Sequence, residues 1–468
     1  MSVREPLGAT TQTGALKLSS SALDARRDRA AGRERISSRR GSLAVVGLVL
    51  TGSVVSIAAA HTESLLPLTI SPVPASLAGA FAGAGLNLHV GGAIGVLTLM
   101  FISYAMVVAA SGQLSARVVL MAIAALYAAV LLAPPLASTD VFSYQAYARM
   151  GALYATNPYL NGPHAIALDS IFPYVGAKWS YVPSAYGPVF TTFSYLLAPL
   201  SIVASVVAYK LTAALASVAV VALVWHCARL RGNDPVKAAA LVGLNPLLVI
   251  YGIGGGHNDL LMLAALVGAV YAILSSRERL GGGLTMVAIG IKLTAGLVLP
   301  FALAAGGPRQ ARSRRRNLAL GAGVGLVLIA ALSFALFGSG SFHLLATVQR
   351  SQSEGDWKSI PGFISTRLGL PGVGHVTGYL LAAAFVVTCC WLLVRVWRGR
   401  MDWIDGAGWA TLVMLIASSS LLPWYVAWLL PLAALGHDRR LVRTAVVLTG
   451  VVQGIQLLGY IPHGGGLL

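Results

Sequence analysis

Charged residues, and acidic residues above all, are scarce in this sequence. Its 468 residues include 15 Asp and Glu against 33 Lys and Arg, and only 10% of the chain is charged. Soluble domains carry roughly 25% charged residues, whereas 57% of this chain is hydrophobic. This composition excludes a soluble globular protein and predicts a polytopic membrane protein. Because lipid tolerates no unpaired backbone groups, we expect an all-α fold.

Cysteine and the common motifs of soluble enzymes are also nearly absent. The three cysteines, Cys227, Cys389 and Cys390, lie in or beside apolar runs and offer neither a disulfide framework nor a metal-ligand spacing. No P-loop, dinucleotide-binding glycine pattern, zinc-site spacing or serine-nucleophile motif occurs. A soluble nucleotide donor therefore has no recognisable site in this sequence.

The basic residues do not predict a nucleic-acid partner, although the formal net charge is +18. They lie in short clusters between apolar runs, which is the positive-inside pattern that orients membrane helices. Residues 1–41 are interpreted as a disordered basic cytoplasmic tail that precedes a transmembrane domain at 42–468. The clusters are Arg26 to Arg40, Arg229 to Lys237, Arg309 to Arg316, Arg395 to Arg400 and Arg439 to Arg443.

The apolar runs predict about thirteen membrane crossings, with the N-terminus in the cytoplasm. The first three crossings, at about 42–60, 91–111 and 116–136, place a catalytic loop at 137–187 outside the membrane. Its charges, Asp140, Arg149, Asp169 and Lys178, sum to zero, as is typical of an outer loop. Further crossings are predicted at about 207–229, 236–252, 257–275, 317–338, 376–398 and 441–460, with a second large outer loop at 339–375 and the C-terminus outside.

Three apolar blocks do not fit as full crossings. The block at 188–203 is interpreted as a re-entrant or interfacial helix, because a full crossing would place the next Arg cluster outside. The blocks at 282–306 and 405–436 each lie between two cytoplasmic Arg clusters. They are predicted to go out and return as half-length helices that turn near Lys292 to Pro300 and at Leu422-Pro423-Trp424. Such breaks are tolerated only where they line a protein-enclosed cavity.

The first outer loop opens with a carboxylate, Asp140, at the point where the chain leaves the membrane. A helix that starts there would carry an aromatic stripe on the Asp face, at three- and four-residue steps. The stripe consists of Tyr144, Tyr147, Gly151 and Tyr154. Asp140 is therefore a candidate general base with Tyr144 beside it. Capping of the helix by the same carboxylate is the alternative interpretation.

Two lysines are expected at the outer ends of helices. Lys210 begins a crossing, and Lys292 lies near the outer end of a half-length helix. Cations at membrane depth are costly and usually functional. Both would suit a phosphate leaving group, whose departure needs charge stabilisation. Snorkelling of each lysine to the outer interface is the alternative.

Polar and aromatic side chains are predicted to gather at the same side. In the turn that ends at Asp259, His257 is the candidate phosphate or sugar contact. Asn258 and Asp259 are further candidates, although one of the two is expected to cap the following helix. Tyr186, Trp424 and Tyr425 are candidates for stacking on a sugar ring or a prenyl chain. An interfacial aromatic belt is the alternative, and it is favoured for Trp428.

The order of these motifs resembles the GT-C-fold glycosyltransferases that use polyprenyl-phosphate sugars. The resemblance covers nearly everything after the N-terminal tail. It is closest to the actinobacterial polyprenol-phosphate-mannose-dependent α-(1→6)-mannosyltransferases of lipomannan synthesis, which are related to glycosyltransferase family 87. The motifs that carry it are Thr139 to Tyr144, Asn157-Pro158-Tyr159, Tyr186-Gly187-Pro188, Asn245-Pro246-Leu247, Gly256 to Asp259, Ile291-Lys292 and Pro423-Trp424-Tyr425.

The resemblance implies inverting transfer of a sugar, with mannose preferred, from a polyprenyl-phosphate donor to a lipid-anchored glycan acceptor. The reaction would take place on the outer face of the plasma membrane, with Asp140 in the position of the family's general base. Phosphate leaves without protonation, so cations suffice and no second carboxylic acid is required, unlike in glycosidases. Transfer of arabinose or glucose from the same kind of donor stays open.

One departure from the superfamily concerns metal binding. Several members carry Asp-x-Asp in the first loop, whereas Phe142 and Ser143 follow here. Because one carboxylate holds Mg²⁺ or Mn²⁺ poorly, we expect no metal ion and no other cofactor. A transporter or flippase for a lipid-linked saccharide is the alternative function. Such proteins gather ionisable residues near the midplane and show inverted repeats, and no repeat is visible in this sequence.

Overall fold

The computed structural model describes residues 39–306, 312–353 and 356–460, and within these ranges the regular structure is helical, without a strand. The all-α prediction is confirmed. The predicted N-terminal tail lies outside the described residues, apart from residues 39–41, which begin the first helix. The helices of six residues or more are α1 (Arg39–His61), α2 (His89–Ala110), α3 (Ala116–Leu132), α4 (Asp140–Tyr154), α5 (Pro188–Tyr195), α6 (Ile202–Leu230), α7 (Pro235–Gly243), α8 (Asp259–Leu274), α9 (Glu278–Ile291), α10 (Val298–Ala304), α11 (Arg312–Phe337), α12 (His343–Ser353), α13 (Pro371–Trp397), α14 (Trp403–Ala417), α15 (Leu430–Leu435) and α16 (Arg439–Leu458).

Long apolar helices dominate the fold. Within the described ranges, six helical runs are long and apolar enough to cross a membrane, namely α1, α2, α6, Arg312–Arg350, α13 and α16. Shorter apolar helices lie between them, and large apolar side chains such as Val327 and Leu380 are exposed on the outside of the bundle. A lipid environment accounts for such exposed faces. The chain is therefore a membrane protein, while the number and orientation of its crossings stay predictions.

The chain breaks at the places that the sequence predicted for two of the half-length helices. Helix α9 ends at Ile291, and Lys292 adopts an extended conformation with φ −151° and ψ 123° before a short 3₁₀ turn and α10. Helix α14 ends at Ala417, and the next regular element is the 3₁₀ turn Pro423–Trp428. Each break releases polar backbone and side chains that a continuous apolar helix would not offer.

One predicted crossing is not continuous. The sequence predicted an unbroken helix at 236–252, but α7 ends at Gly243 and a wider π-helical turn, Leu248–Ile253, follows. The break lies at Asn245-Pro246, because Pro246 has no N–H to donate and the Asn245 carboxamide oxygen instead accepts from the N–H groups of Leu247 and Leu248 at 3.0 and 3.2 Å. The motif is therefore a helix break.

The first outer loop, at 137–187, is a packed element and not a surface connection. Helix α4 starts at Asp140, as predicted, and is buried over most of its length. Gln145 fixes it by donating to the carbonyl of Ala198 at 3.3 Å, and the Arg149 guanidinium pairs with Asp169 at 2.8 Å. These contacts hold α4 inside the bundle. The second loop, at 339–375, likewise contains α12.

Glycine allows two distant parts of the chain to touch. The N–H of Gly187 donates to the carbonyl of Ile291 at 3.0 Å. A methyl group on Gly187 would lie 2.2 Å from the carbonyl oxygen of Gly290. Backbone can therefore approach backbone only because residue 187 has no side chain. This contact brings the end of the first loop against the break that carries Lys292.

Candidate active site

Five segments converge on one cluster of polar and aromatic side chains. They are the first two turns of α4, the end of the first loop at Tyr186, the turn before α8, the break after α9 and the 3₁₀ turn Pro423–Trp428. The side chains that meet there are Asp140, Tyr144, Tyr186, His257, Asn258, Asp259, Lys292, Trp424, Tyr425 and Trp428. Apart from Lys210, every residue that the sequence predicted for the site belongs to this cluster.

Asp140 faces the cluster and does not cap its own helix. Its backbone N–H donates to the Ser138 hydroxyl at 3.2 Å, and the residue at the cap position, Thr139, makes no side-chain hydrogen bond to the helix. The Asp140 carboxylate lies 3.4 Å from Nδ1 of His257, and 18% of its side chain is exposed. A carboxylate that is partly accessible and not used as a cap is available to a substrate.

The charge state of Asp140 follows from its neighbours. Burial favours the neutral acid, but the hydrogen bond and the charge of His257 oppose it, with smaller contributions from Lys292 and Ser138. The balance holds the pKa of the Asp140 carboxyl below its ordinary value. Asp140, which lies outside the six membrane-crossing runs, is therefore ionised at neutral pH and able to accept a proton.

His257 is held in place by aromatic stacking and by buried polar groups. Its ring stacks on Trp424, with the ring centroids 3.7 Å apart and the planes 22° from parallel. The Tyr144 hydroxyl lies 3.5 Å from Nδ1 of His257 and donates to the Asn258 carboxamide oxygen at 3.3 Å. Tyr144, His257 and Asn258 are all buried. These contacts hold the His257 ring against the Asp140 carboxylate, and contact of the three residues with a substrate stays a prediction.

Lys292 is the exposed member of a second group. Its ammonium donates to Asp259 Oδ1 at 2.7 Å, and the same oxygen accepts the indole N–H of Trp428 at 2.6 Å. The Lys292 ammonium also lies 4.8 and 5.1 Å from the ring centroids of Tyr425 and Trp428. Its side chain is 15% exposed, against 1% for Asp259. Asp259 thus anchors a cation whose outer side stays accessible.

Trp428 is a member of the cluster that the sequence interpretation did not place there. It was expected in the interfacial belt, but it is 6% exposed, donates to Asp259 and stacks on Tyr425 with the centroids 4.2 Å apart. The sequence offered no signal for this role beyond the short spacing between Trp424 and Trp428. The interfacial interpretation of Trp428 is therefore wrong, whereas Trp424 and Tyr425 lie where the prediction placed them.

The aromatic residues of the first loop divide into two sets. Tyr186 packs edge-on against Tyr144, with the ring centroids 4.8 Å apart, and is only partly buried. Tyr181 instead is exposed and stacks on His164. Tyr186 therefore joins Tyr144 at the cluster, whereas Tyr181 lies against His164.

Lys210 does not take part in the cluster as a phosphate contact. Its side chain is 2% exposed, and its ammonium donates to the carbonyl of Ala133 and, at 3.0 Å, to that of Pro134. These two carbonyls lie just after the last residue of α3 and have no hydrogen-bond partner within that helix. Lys210 therefore fixes the segment that leads into Asp140. This placement corrects the predicted role of Lys210 in substrate binding.

The cluster offers little to a metal ion. In the described part of the chain, no three His, Cys, Asp or Glu side chains lie together in a way that could hold a metal. Asp140 and His257 form a pair without a third such ligand in that part, and Asp259 is engaged by Lys292 and Trp428. The absence of a metal and of any other cofactor stays a prediction.

The fold and the site define a helical membrane protein with an ionised carboxylate and an anchored cation in one buried cluster. Comparison with known families agrees with this class. Residues 39–306 match the model described as alpha-(1->6)-mannopyranosyltransferase, N-terminal domain, and residues 360–467 match the MptB C-terminal domain. The first match spans more than half of the chain, so the chain belongs to the alpha-(1->6)-mannopyranosyltransferase family. The family that the motif order predicted is confirmed.

Curated relatives carry the same description. An alpha-(1->6)-mannopyranosyltransferase of Mycobacterium tuberculosis is 30% identical over 400 residues, which covers 69% of this chain and 66% of the relative. Alpha-(1->6)-mannopyranosyltransferase B of Corynebacterium glutamicum is 30% identical over 351 residues, which covers 66% of this chain and 57% of the relative. The chain thus spans no more than about two thirds of the length of these relatives. No solved structure matches it.

Proposed function

We propose that this protein transfers mannose from a polyprenyl-phosphate donor to a hydroxyl group of a lipid-anchored, lipomannan-type glycan and forms an α-(1→6) linkage with inversion. The observation that carries the proposal is the partly exposed Asp140 carboxylate, 3.4 Å from His257 and in one cluster with the anchored ammonium of Lys292. A base and a separate cation are what transfer from a lipid phosphate requires. Membership of the family supports mannose as the sugar.

In the proposed reaction Asp140 acts on the acceptor. The acceptor hydroxyl gives its proton to the Asp140 carboxylate as its oxygen forms a bond to the anomeric carbon. On the opposite side of the sugar, the bond between that carbon and the phosphate oxygen breaks. The lipid phosphate keeps the bonding electron pair, and the Lys292 ammonium stabilises the charge that develops there.

The buried residues of the cluster support these two groups. His257 keeps Asp140 ionised through its hydrogen bond and charge. Asp259 and Trp428 hold Lys292 over the ring of Tyr425, so the cation needs no rearrangement during the reaction. Tyr186 and Tyr425 are the partly exposed aromatic residues that border the cluster. We assign them to the faces of the sugar or the first prenyl unit.

The proposal is tested by replacing the base. Membranes that contain the wild type or Asp140→Asn are incubated with radiolabelled polyprenyl-phosphate mannose and an α-mannoside acceptor. We expect the amide variant to transfer mannose about 10²- to 10⁴-fold more slowly, because an amide cannot take the proton. Equal transfer by both proteins would remove Asp140 from the mechanism. Movement of the labelled lipid across the membrane without transfer by the wild type would favour the transporter.

A matched control separates chemistry from folding. Asp234 is a carboxylate that caps α7 by accepting the N–H of Val236 at 2.9 Å. Asparagine is an equally good cap. Asp234→Asn is therefore expected to keep wild-type transfer, and both variants should be present in the membrane at wild-type levels.

A further inference from the structure

A second group of polar side chains lies where the second outer loop meets the end of α16. The ammonium of Lys358 donates to the Gln456 carboxamide oxygen at 3.1 Å. The hydroxyl groups of Tyr251 and Tyr460 lie 3.4 Å apart. Gln453, one helical turn before Gln456, is 2% exposed. None of these residues takes part in the cluster around Asp140.

Several polar atoms of this group have no partner within the described part of the chain. These atoms are Nε2 and Oε1 of Gln453 and Nε2 of Gln456. Buried amides without hydrogen bonds destabilise a protein, and natural proteins contain few of them. By contrast, Thr449 on the same helix donates to the carbonyl of Ala445 and lies 3.0 Å from the amide nitrogen of Asn245. The Gln453 amide, buried and unpartnered at both of its polar atoms, therefore points to a ligand.

The group adjoins the candidate active site along two stretches of chain. The N–H of Asp356 donates to the carbonyl of Ser419 at 2.8 Å, so residues 356–358 lie against the segment that leads into Trp424. Tyr251 belongs to the π-helical turn Leu248–Ile253. The carbonyl of Gly252, which follows Tyr251, accepts the N–H of His257 at 2.9 Å. The first stretch leads to Trp424 and the second to His257, and the rings of these two residues stack.

We propose that Lys358, Gln453, Gln456 and the hydroxyl pair of Tyr251 and Tyr460 bind the hydroxyl groups of the saccharide acceptor. This inference rests on the proposed function and assigns the acceptor to a named part of the same site. Amides and hydroxyls each donate and accept, which matches the paired donor and acceptor of a sugar hydroxyl.

A phosphate group fits these residues less well than a saccharide. The ammonium of Lys358 already donates to Gln456, and the atoms left without partners belong to neutral amides. Phosphate recognition in proteins relies on several charged donors. The anchored cation of Lys292 therefore suits the donor phosphate, and the amide group suits the acceptor.

The test uses Gln453→Met in the full chain, because methionine keeps the length of the side chain and removes its polar atoms. Initial rates are measured in membranes with varied α-(1→6)-mannobioside and with varied polyprenyl-phosphate mannose. We expect the KM for the mannobioside to rise about tenfold, because the variant loses one or two hydrogen bonds from Gln453 to the acceptor. The KM for the lipid donor should stay within about twofold.

Stability distinguishes a binding role from a structural one. A structural amide would lower the melting temperature when replaced, whereas removal of an unpartnered buried amide should leave the melting temperature unchanged or raise it. Val451→Met, an exposed position on the same helix, is the control and should change neither KM value. If Gln453→Met fails to fold, Gln456→Met is examined with the same expectations for the two KM values. Its melting temperature should fall, because the substitution also removes the acceptor of the Lys358 ammonium.

Equilibrium binding keeps this inference separate from the proposed function. The purified wild type and Gln453→Met are dialysed against radiolabelled mannobioside without donor. Binding by the wild type that weakens about tenfold in the variant supports the acceptor site even if no transfer is found. Transfer by both proteins with equal KM and equal binding of mannobioside would overturn the inference and leave the proposed function intact. A higher melting temperature with unchanged binding would show that the amides hold water only.

Discussion

At the scale of single residues, two carboxylates of the cluster differ in exposure. Asp140 keeps 18% of its side chain accessible, whereas Asp259 keeps 1% and places one oxygen against both Lys292 and Trp428. A reacting group must reach its substrate, but an anchoring group must not. The two exposures suit Asp140 as the proposed base and Asp259 as the anchor of Lys292, a distinction that their positions in the chain do not reveal.

The pairing of Asp140 with His257 predicts a pH effect. His257→Phe keeps a ring to stack on Trp424 but removes the hydrogen bond and charge that lower the pKa of Asp140. Burial, which raises that pKa, is then opposed only by the weaker contributions of Lys292 and Ser138. Transfer is lost as the pH falls through the pKa of Asp140, so the acid limb of kcat/KM should move to higher pH. The measurement is kcat/KM for the acceptor between about pH 4 and about pH 8.

The outcome that contradicts this assignment is specific. If His257→Phe lowers kcat/KM equally at every pH and leaves the acid limb in place, His257 does not control the protonation of Asp140. A direct contact between His257 and the lipid phosphate would then be the better interpretation, since that loss would not depend on the Asp140 carboxyl.

At the scale of helices, the site exists because helices stop. The breaks after α9 and α14 place Lys292 and Trp424 at the ends of short elements, and backbone hydrogen bonds that a helix would use are redirected. The contact between Gly187 and the end of α9 ties one of these breaks to the first outer loop. The position of Lys292 relative to the first loop therefore depends in part on this close approach of two backbones.

Substitution of this glycine tests the contact. Gly187→Ala would place a methyl group 2.2 Å from the carbonyl oxygen of Gly290. Neither partner is a flexible side chain, so the two segments must separate, at a cost of about 1–3 kcal/mol. We expect a lower melting temperature and a transfer rate reduced by about tenfold or more, measured in the same membranes.

The matched control is Gly323→Ala in α11, where a methyl group would meet no heavy atom within 4 Å. Alanine is favoured over glycine inside a helix by about 1 kcal/mol. This variant should therefore keep its transfer rate and melt no lower than the wild type. An unchanged transfer rate in Gly187→Ala would mean that the close approach is not needed for the site.

At the scale of the whole molecule, the orientation in the membrane follows from charge. The predicted topology places the first outer loop outside and the Arg clusters inside. Leu168 in that loop and Leu230 beside Arg229 and Arg231 are both exposed. In a chain without its native cysteines, Leu168→Cys should react with a membrane-impermeant maleimide in intact cells. Leu230→Cys should react only after the cells are opened. The reverse labelling pattern would show that the protein has the opposite orientation to the predicted one.

The sequence by itself determined the class, the family and the places where helices break. Low charge, apolar runs and breakers such as Pro423 act through hydropathy and local backbone geometry, which can be read along the chain. Even there, a long apolar run concealed the break at Asn245-Pro246, because apolar composition does not show whether a helix is continuous.

Only the tertiary structure decided which polar groups meet. Asp259 pairs with Lys292, 33 residues away, and with Trp428, 169 residues away, while Lys210 is taken by two carbonyls that end α3. The unpartnered amides of Gln453 likewise depend on what surrounds α16. These pairings are set by how helices pack, because an ammonium can donate to a carboxylate, a carbonyl or a phosphate, and the choice depends on which of them lies within about 3 Å.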